Sequence, residues 1–261
     1  MKKLIRKLIP LLPRGKTLAI NLTLKLFGRK VNDIIRVDNR NFYIDQLNDL
    51  NRSLFFLGQY EPEITKFIKQ IISQHSISGG WTALDIGANF GWYSTLFAQY
   101  GAKVYAFEAS RQIADQLTKT IAANYFNFKP TLEIMAIGDQ VKSISCFYSE
   151  EQGNANLSEM TECTSVESVL MTDLDSYVEK NNIGKIDFIK CDIDGAELLF
   201  LKGAKKVLAK KPAMMIEWVY NQEEILKELA QYGYKFILIE NNTMIDPANP
   251  PKGVAGNLYC Y

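Results

Sequence analysis

The sequence predicts an α/β fold built on a mostly parallel sheet covered by helices on both faces, and three features predict it. From Trp81 onward, strand-length apolar runs alternate with amphipathic helical stretches, as in sheets whose strands are joined by crossover helices. The first run, LDIGANFG at 84–91, ends in a glycine turn that leads into a helix, the form of a strand end that approaches a ligand. A length of 261 residues, 47% of them hydrophobic and 23% charged, suits one such domain with an appendage.

Residues 1–44 read as a basic helical and hairpin segment ahead of a domain at 45–261. MKKLIRKLIPLLPRGK interleaves Leu4, Ile5, Leu8, Leu11 and Leu12 with Lys2, Lys3, Arg6 and Lys7, a short basic amphipathic helix interrupted by Pro10 and Pro13. In TLAINLTLKLF, alternate leucines would suit a strand, but Leu18, Leu22 and Leu26 also line a helix face, and helix is the reading. IIRVDNRNFYI, at 34–44, is a hairpin turning at Asp38-Asn39-Arg40. EPEITKFIKQIIS is a helix with Pro62 in its first turn and Ile64, Phe67, Ile68, Ile71 and Ile72 on one face.

The strands of the domain are WTALDIG, KVYAFEA, TLEIMAIG, DFIKCDI, AMMIEW and KFILIE, with NLYCY as a seventh. Helices are expected near 91–100, 111–125, 196–210 and 221–232. The last two strands lack a helix between them, which predicts antiparallel pairing at that end.

Charge is unevenly distributed. Residues 1–32 hold nine Lys/Arg and no Asp or Glu, while the rest of the chain sets 21 Lys/Arg against 29 Asp/Glu. A basic head on an acidic body suits an anionic surface. Two readings stay open: residues 1–30 pack on the domain with solvated charges, or they touch an anionic membrane peripherally. No uncharged run nears the roughly 20 residues that span a bilayer. The run between Lys16 and Lys25, interrupted by Asn21, is a poor signal peptide. The acidic body offers no broad basic surface for nucleic acid. Cys146, Cys163, Cys191 and Cys260 form no CxxC pair, so a disulfide framework or zinc site is not expected. These features place the chain in the cytoplasm, with contact at the inner membrane surface as the open alternative. The single histidine, His75, reads as a surface residue at a helix end, which leaves Ser-His-Asp chemistry without support.

The glycine turn departs from the dinucleotide pattern. Gly87, Asn89 and Gly91 are spaced at twos, and Trp92 stands where a third glycine would fall, which weakens diphosphate binding. Asp85 places negative charge beside the turn, suiting an ammonium or sulfonium. Glu108 closes the next strand, 21 residues past Gly87, where a carboxylate can accept both ribose hydroxyls. An adenosine joined to a zwitterionic amino acid meets these features together, and S-adenosyl-L-methionine is such a molecule. The plainer alternative is a tight strand–helix connection with a surface acid.

From about Tyr60 to Tyr234 the chain resembles the FkbM family of S-adenosylmethionine-dependent methyltransferases. The resemblance rests on YEPEIT, LDIGANFGWYS, VYAFEAS, AIGD, DFIKCDIDGAELLFLKGA and IEW. It implies a class I methyltransferase (Rossmann-like) fold, a three-layer sandwich with a mostly parallel seven-stranded sheet and an antiparallel last strand. It also implies O-methylation of a sugar, glycolipid or related small-molecule hydroxyl. The family motif K-I-D-V-E-G-A-E has Cys191 and Asp194 at two of its places here. On this footing the cofactor residues are Glu61, Asp85, Gly87, Ala88, Asn89 and Gly91, followed by Glu108, Ala109, Ala136, Asp139 and Asp192.

The first five core strands each carry an acid near the carboxyl end: Asp85, Glu108, Asp139, Asp192 with Asp194, and Glu217. Parallel strands present those ends along one edge, so these acids should border one crevice. Asp139 either borders the adenine side near Ala136 or braces its own turn. Asp192, Asp194 and Glu217 are the catalytic candidates, because methyl transfer to oxygen needs alignment and a proton acceptor. Asp194-Gly195-Ala196-Glu197 also fits a capping box with Asp194 as N-cap. The three acids could share a magnesium ion, but acids at strand ends are commoner without one, and no metal is assigned. Lys190 is expected to point toward a neighbouring acid in a structural role. In the polar loop EEQGNANLSE, Asn154, Asn156 and Ser158 are candidates for bonding a polyol substrate. RNA or protein methylation, and a non-catalytic cofactor-binding adaptor at a membrane, are the alternative functions.

Overall fold

The computed structural model describes residues 2–12, 14–76, 80–158, 160 and 162–261. The side chains of Lys3 and residues 74–76 fall outside that description, and with them the expected surface placement of His75.

At the amino end, α1 (Lys2–Leu8) continues into a 3-10 turn at Ile9–Leu11, and α2 (Lys16–Phe27) follows. A hairpin of β1 (Lys30–Val37) and β2 (Arg40–Gln46) comes next. It turns through Asp38 and Asn39 at φ 52° and 62°, the left-handed pair that suits a two-residue turn between twisted strands. Ile35, Val37, Phe42 and Ile44 are buried in one apolar cluster with Ala83, Val104 and Phe188, so the hairpin is packed on the main sheet. Arg40 fastens it. Its buried guanidinium donates to the Trp92 carbonyl and to Thr95 Oγ1, pairs with Asp38 at 2.9 Å and stacks over Trp92. Burial lowers its pKa to about 10.

After α3 (Asn51–Leu57) and α4 (Pro62–Ser76), the alternation begins with β3 (Thr82–Ile86), α5 (Trp92–Gln99), β4 (Lys103–Glu108), α6 (Arg111–Ala122) and β5 (Thr131–Ile134). The chain then leaves the main sheet for β6 (Ala136–Gly138), β7 (Lys142–Ser149), β8 (Asn154–Asn156) and β9 (Ser165–Asp173). It returns through α7 (Leu174–Lys180), β10 (Phe188–Cys191), α8 (Glu197–Lys202) and α9 (Lys205–Leu208). The remaining elements are β11 (Ala213–Trp218), α10 (Gln222–Ala230), β12 (Phe236–Leu238), β13 (Thr243–Ile245) and β14 (Gly256–Cys260).

The main sheet has eight strands in the order β13-β12-β14-β11-β10-β3-β4-β5. Pairing is parallel from β11 through β10, β3 and β4 to β5. It is antiparallel where β14 inserts between β11 and β12, and again between β12 and β13. Period-two alternation divides the core. Leu84, Ile189 and Ile216 join the side chains of α7 to α10 on one face, whereas Ala83, Phe188 and Met215 join those of α4 and α5 on the other. The result is a three-layer, Rossmann-like sandwich.

Three sequence expectations are corrected. TLEIMAIG is not one strand: β5 pairs with β4, whereas β6 pairs with β9 in a separate four-stranded sheet of order β6-β9-β7-β8. The helix expected over 196–210 breaks at Gly203, where an added Cβ would lie 1.9 Å from the Gly138 carbonyl oxygen. The small sheet therefore presses on α8 at a point where no side chain fits. The main sheet has eight strands rather than seven, because β13 extends it at the edge beyond β12.

Candidate active site

The chain leaves β3 toward β4 and β5, then returns to β10 on the other side of β3. Such a reversal opens a crevice at the carboxyl ends of the two strands. A cavity of about 200 Å³ lies there, reached by residues from the ends of β3, β4, β10 and β11.

Its floor is the glycine turn. Gly87 has φ 76° and Gly91 φ 90°, with Asn89 between them at 47°, a region that asparagine tolerates better than most side chains. A Cβ on Gly87 would stand 1.8 Å from the carbonyl oxygen of Asp192, so the turn presses directly on the end of β10. Gly87, Ala88 and Asn89 line the cavity. Gly91 packs instead against Leu117, which an added Cβ would meet at 2.4 Å.

Glu108 stands at one side of the cavity and is 5% exposed. The backbone N–H groups of Asn89 and Ser110 donate to its two oxygens, each at 2.9 Å. Burial raises its pKa to about 7 against the pull of those donors. Each oxygen keeps a further acceptor site. Ala109, Met135, Ala136 and Ile137 form an apolar slot beside it. A flat base with hydroxyls at its edge fits such a pairing of slot and carboxylate.

The other side of the cavity is crowded with acids around one buried cation. Strand register sets Lys190 directly beside Asp85. Lys190 Nζ donates to the Gly87 carbonyl at 2.8 Å and lies 3.7 Å from Asp85 and 3.5 Å from Asp192. Burial disfavours its charge, but Asp192 and then Asp85 outweigh that and raise its pKa. Asp85 is fully buried beneath the turn and does not line the cavity; Ser94 donates to its second oxygen. Burial raises the Asp85 pKa, opposed chiefly by Lys190. Asp85, expected among the cofactor residues, is thus corrected to a position behind the cavity wall, where its carboxylate reaches the lining through Lys190.

Glu61, at φ 41° just ahead of α4, accepts the Tyr93 hydroxyl at 2.7 Å. Burial and then Asp192 push its pKa up. The same two causes raise Asp194 to about 6. Burial followed by Asp192 raises Glu217 to about 8, and its Oε2 is buried without a hydrogen-bond partner among the described residues. Ligand atoms of Asp192, Asp194 and Glu217 lie within 4.8 Å of one another, close enough to hold a divalent cation or a cationic group. With Glu61 and Glu108, five carboxyl groups and a single lysine, Lys190, line the cavity among the described residues. A ligand bearing an ammonium or sulfonium fits that balance, because it relieves the mutual repulsion of the acids.

Asp194 does not cap a helix. α8 begins at Glu197 after Ala196, while Asp194 and Gly195 form a left-handed turn at φ 51° and 99°. The capping box is corrected to a one-sided brace in which Glu197 accepts the Ile193 N–H at 2.9 Å. The tip of the small sheet holds this turn: Asn154 donates to the Asp194 carboxylate at 3.4 Å and Asn156 to its carbonyl at 2.9 Å. Residues 154–156 are thus a strand within the expected loop, and Asn154 lines the cavity. Asn156 lies behind it, and Ser158 is exposed with its N–H on Asn156. Asp139 is also away from the cavity: β6 lines it with Ala136 and Ile137, while Asp139 follows in the turn beyond Gly138 and pairs with Lys142 at 3.1 Å. Of its two open readings, the structure supports the turn brace.

Tyr60, Tyr93 and Lys190 line the cavity and were not expected to. Tyr60 and Tyr93 stand inside the motifs YEPEIT and GWYS, where a polar neighbour was the available signal. Lys190 was legible as the partner of an acid, but its reach to the turn needed the register.

The sheet order, with β14 inserted antiparallel beside β11, is that of the class I methyltransferase fold. The chain belongs to the FkbM methyltransferase domain family, whose domain matches residues 85–236. Among solved structures, the FkbM methyltransferase of Methylobacillus flagellatus KT is 18% identical over 70% of this chain and 44% of its own, with a TM-score of 0.47. This chain thus spans less than half the length of that protein. A SAM-dependent methyltransferase from Agrobacterium tumefaciens is 10% identical over 90% of this chain and 70% of its own, at 0.48. The magnesium protoporphyrin IX methyltransferase of Synechocystis PCC 6803, solved with bound SAM, is 11% identical over 83% and 85%, at 0.43. No curated protein matches the sequence.

Proposed function

We propose that this chain binds S-adenosyl-L-methionine between the glycine turn and Glu108, and methylates a hydroxyl of a sugar, glycolipid or related small molecule. One observation carries the reading: a single cavity joins an apolar slot and a backbone-braced carboxylate to a cluster of acids around Asp192. The bound donor supplies an electrophilic methyl group on a sulfonium. Glu108 accepts the ribose hydroxyls, while Ala109, Met135 and Ala136 flank the base. Asp192, held 3.5 Å from Lys190, accepts the proton of the acceptor hydroxyl. Glu217, raised to about 8, stays protonated at neutral pH and donates a hydrogen bond to the acceptor. Asn154 and the polar rim support a polyol rather than an apolar acceptor.

Titration calorimetry with S-adenosylhomocysteine tests the donor site. Wild type should bind, and Glu108→Ala should weaken binding by roughly 10- to 100-fold, since it removes charge-assisted hydrogen bonds. No binding by wild type ends the proposal. Asp192→Asn should keep donor binding and lose about 100-fold or more in transfer from labelled donor to a panel of glycans. Equal transfer by the variant would remove Asp192 from the chemistry, and transfer to RNA or protein alone would replace the acceptor.

A further inference from the structure

We propose that α1 and α2 form a docking face for an anionic lipid bilayer, independently of which acceptor is methylated. α2 is apolar on two opposite faces. Ile20 and Leu24 are 5% and 9% exposed and belong to the core. Leu18, Leu22 and Leu26 are 74%, 54% and 65% exposed, and at about 100° per residue they stand roughly opposite Ile20 and Leu24. A helix packed on a water-soluble domain turns polar residues outward, so three leucines in that row need another partner. The adjoining α1 and its 3-10 turn add Leu4, Leu8 and Leu11, also largely exposed.

Charge names the occupant. Residues 1–32 carry nine Lys/Arg and no acid, and Lys7, Arg14 and Lys25 are exposed around the leucines. A second copy would bring the same positive face against itself. A bilayer with anionic headgroups meets both parts of the surface: headgroups neutralise the cations while the leucines enter the acyl boundary below. No helix of the described residues is long and apolar enough to cross a membrane, so the contact lies in the interfacial plane. The face also contacts α3 and the turn before β8, whose neighbours Leu50 and Asn154 line the cavity. Arg6 stacks on Phe55 of α3, and Arg29, just past α2, pairs with Glu151 at 2.6 Å beside the tip of the small sheet.

The test is co-sedimentation of the full chain with phosphatidylcholine vesicles, with and without phosphatidylglycerol. The chain should sediment with the anionic vesicles and stay in solution with the neutral ones. Leu18→Gln/Leu22→Gln/Leu26→Gln should weaken vesicle binding about tenfold or more, with melting temperature and S-adenosylhomocysteine binding unchanged. Lys7→Gln/Arg14→Gln/Lys25→Gln should weaken it by a similar factor, and added salt should mimic that loss. Wild type that ignores anionic vesicles, or a leucine variant that binds them as well as wild type, overturns the proposal. A concentration-dependent dimer in wild type that the leucine variant abolishes, without vesicle binding, would assign the face to a second copy.

Discussion

The two sides of the cavity satisfy their carboxylates in different ways. Glu108 has a backbone N–H on each oxygen, both at 2.9 Å, so its position is set before any ligand arrives. Across the cavity, Asp192, Asp194 and Glu217 share a space 4.8 Å wide, and an oxygen of Glu217 has no partner among the described residues. One side is preorganised by main chain; the other is held by a balance of charge centred on Lys190. Rigid hydrogen bonds suit a constant donor, whereas a proton-rich, under-satisfied cluster suits a group that must accept and release protons.

Breaking the charge balance should have the largest effect. Lys190→Met leaves Asp85 buried without its cation and should cost about 3–5 kcal/mol in urea unfolding. A loss below about 1 kcal/mol would mean that Lys190 is not the centre of the cluster. Breaking the preorganised side comes next. Gly87→Ala forces a Cβ to 1.8 Å from the Asp192 carbonyl at φ 76°, and should cost roughly 2–4 kcal/mol together with donor binding. An alanine variant that binds S-adenosylhomocysteine normally would show that the turn can yield.

The difference between the sides can be sharpened with pH. Glu108, Asp194 and Glu217 have folded pKa values raised to about 7, 6 and 8, above those of free carboxyls. The folded state therefore holds protons that the unfolded chain has released. Stability from these groups is full at low pH and is lost as pH rises through their folded values. Thermal melts should fall by roughly 5 °C between pH 5 and 8, and Glu217→Gln should flatten the upper part of that fall. An unchanged slope in the variant would place the titration elsewhere. The smallest effect is expected of Asp139→Asn, which loses only a partly exposed pair with Lys142. It should change stability by less than about 0.5 kcal/mol and leave donor binding alone.

Much of the donor side was legible from sequence. A glycine turn at a strand end, with an acid closing the next strand, is local in the chain and constrained by backbone sterics. The acids of the other side were legible as candidates but not as an arrangement. Asp85 and Asp139 looked equivalent to Asp192 in position along their strands, yet one lies under the turn and the other outside the sheet. The small sheet was missed although β7 and β9 run for 8 and 9 residues, because Ser and charged residues interrupt their apolar pattern and β8 lies in a run of Gly, Asn and Ser that reads as loop. Its contribution is felt at the site through Asn154 and Asn156, which grip Asp194 from 40 and 38 residues away.

Residue order by itself determined the β/α alternation, the left-handed corner at Gly87 and the segregation of basic charge at the amino end. Those features follow from periodicity, steric limits and composition, which act between near neighbours. Only the tertiary structure decided which acids meet in one cavity, and that Lys190 sits between one of them, Asp192, and the buried Asp85. Strand register and the departure of β6 from the sheet set those meetings, and both depend on pairings between residues far apart in the chain.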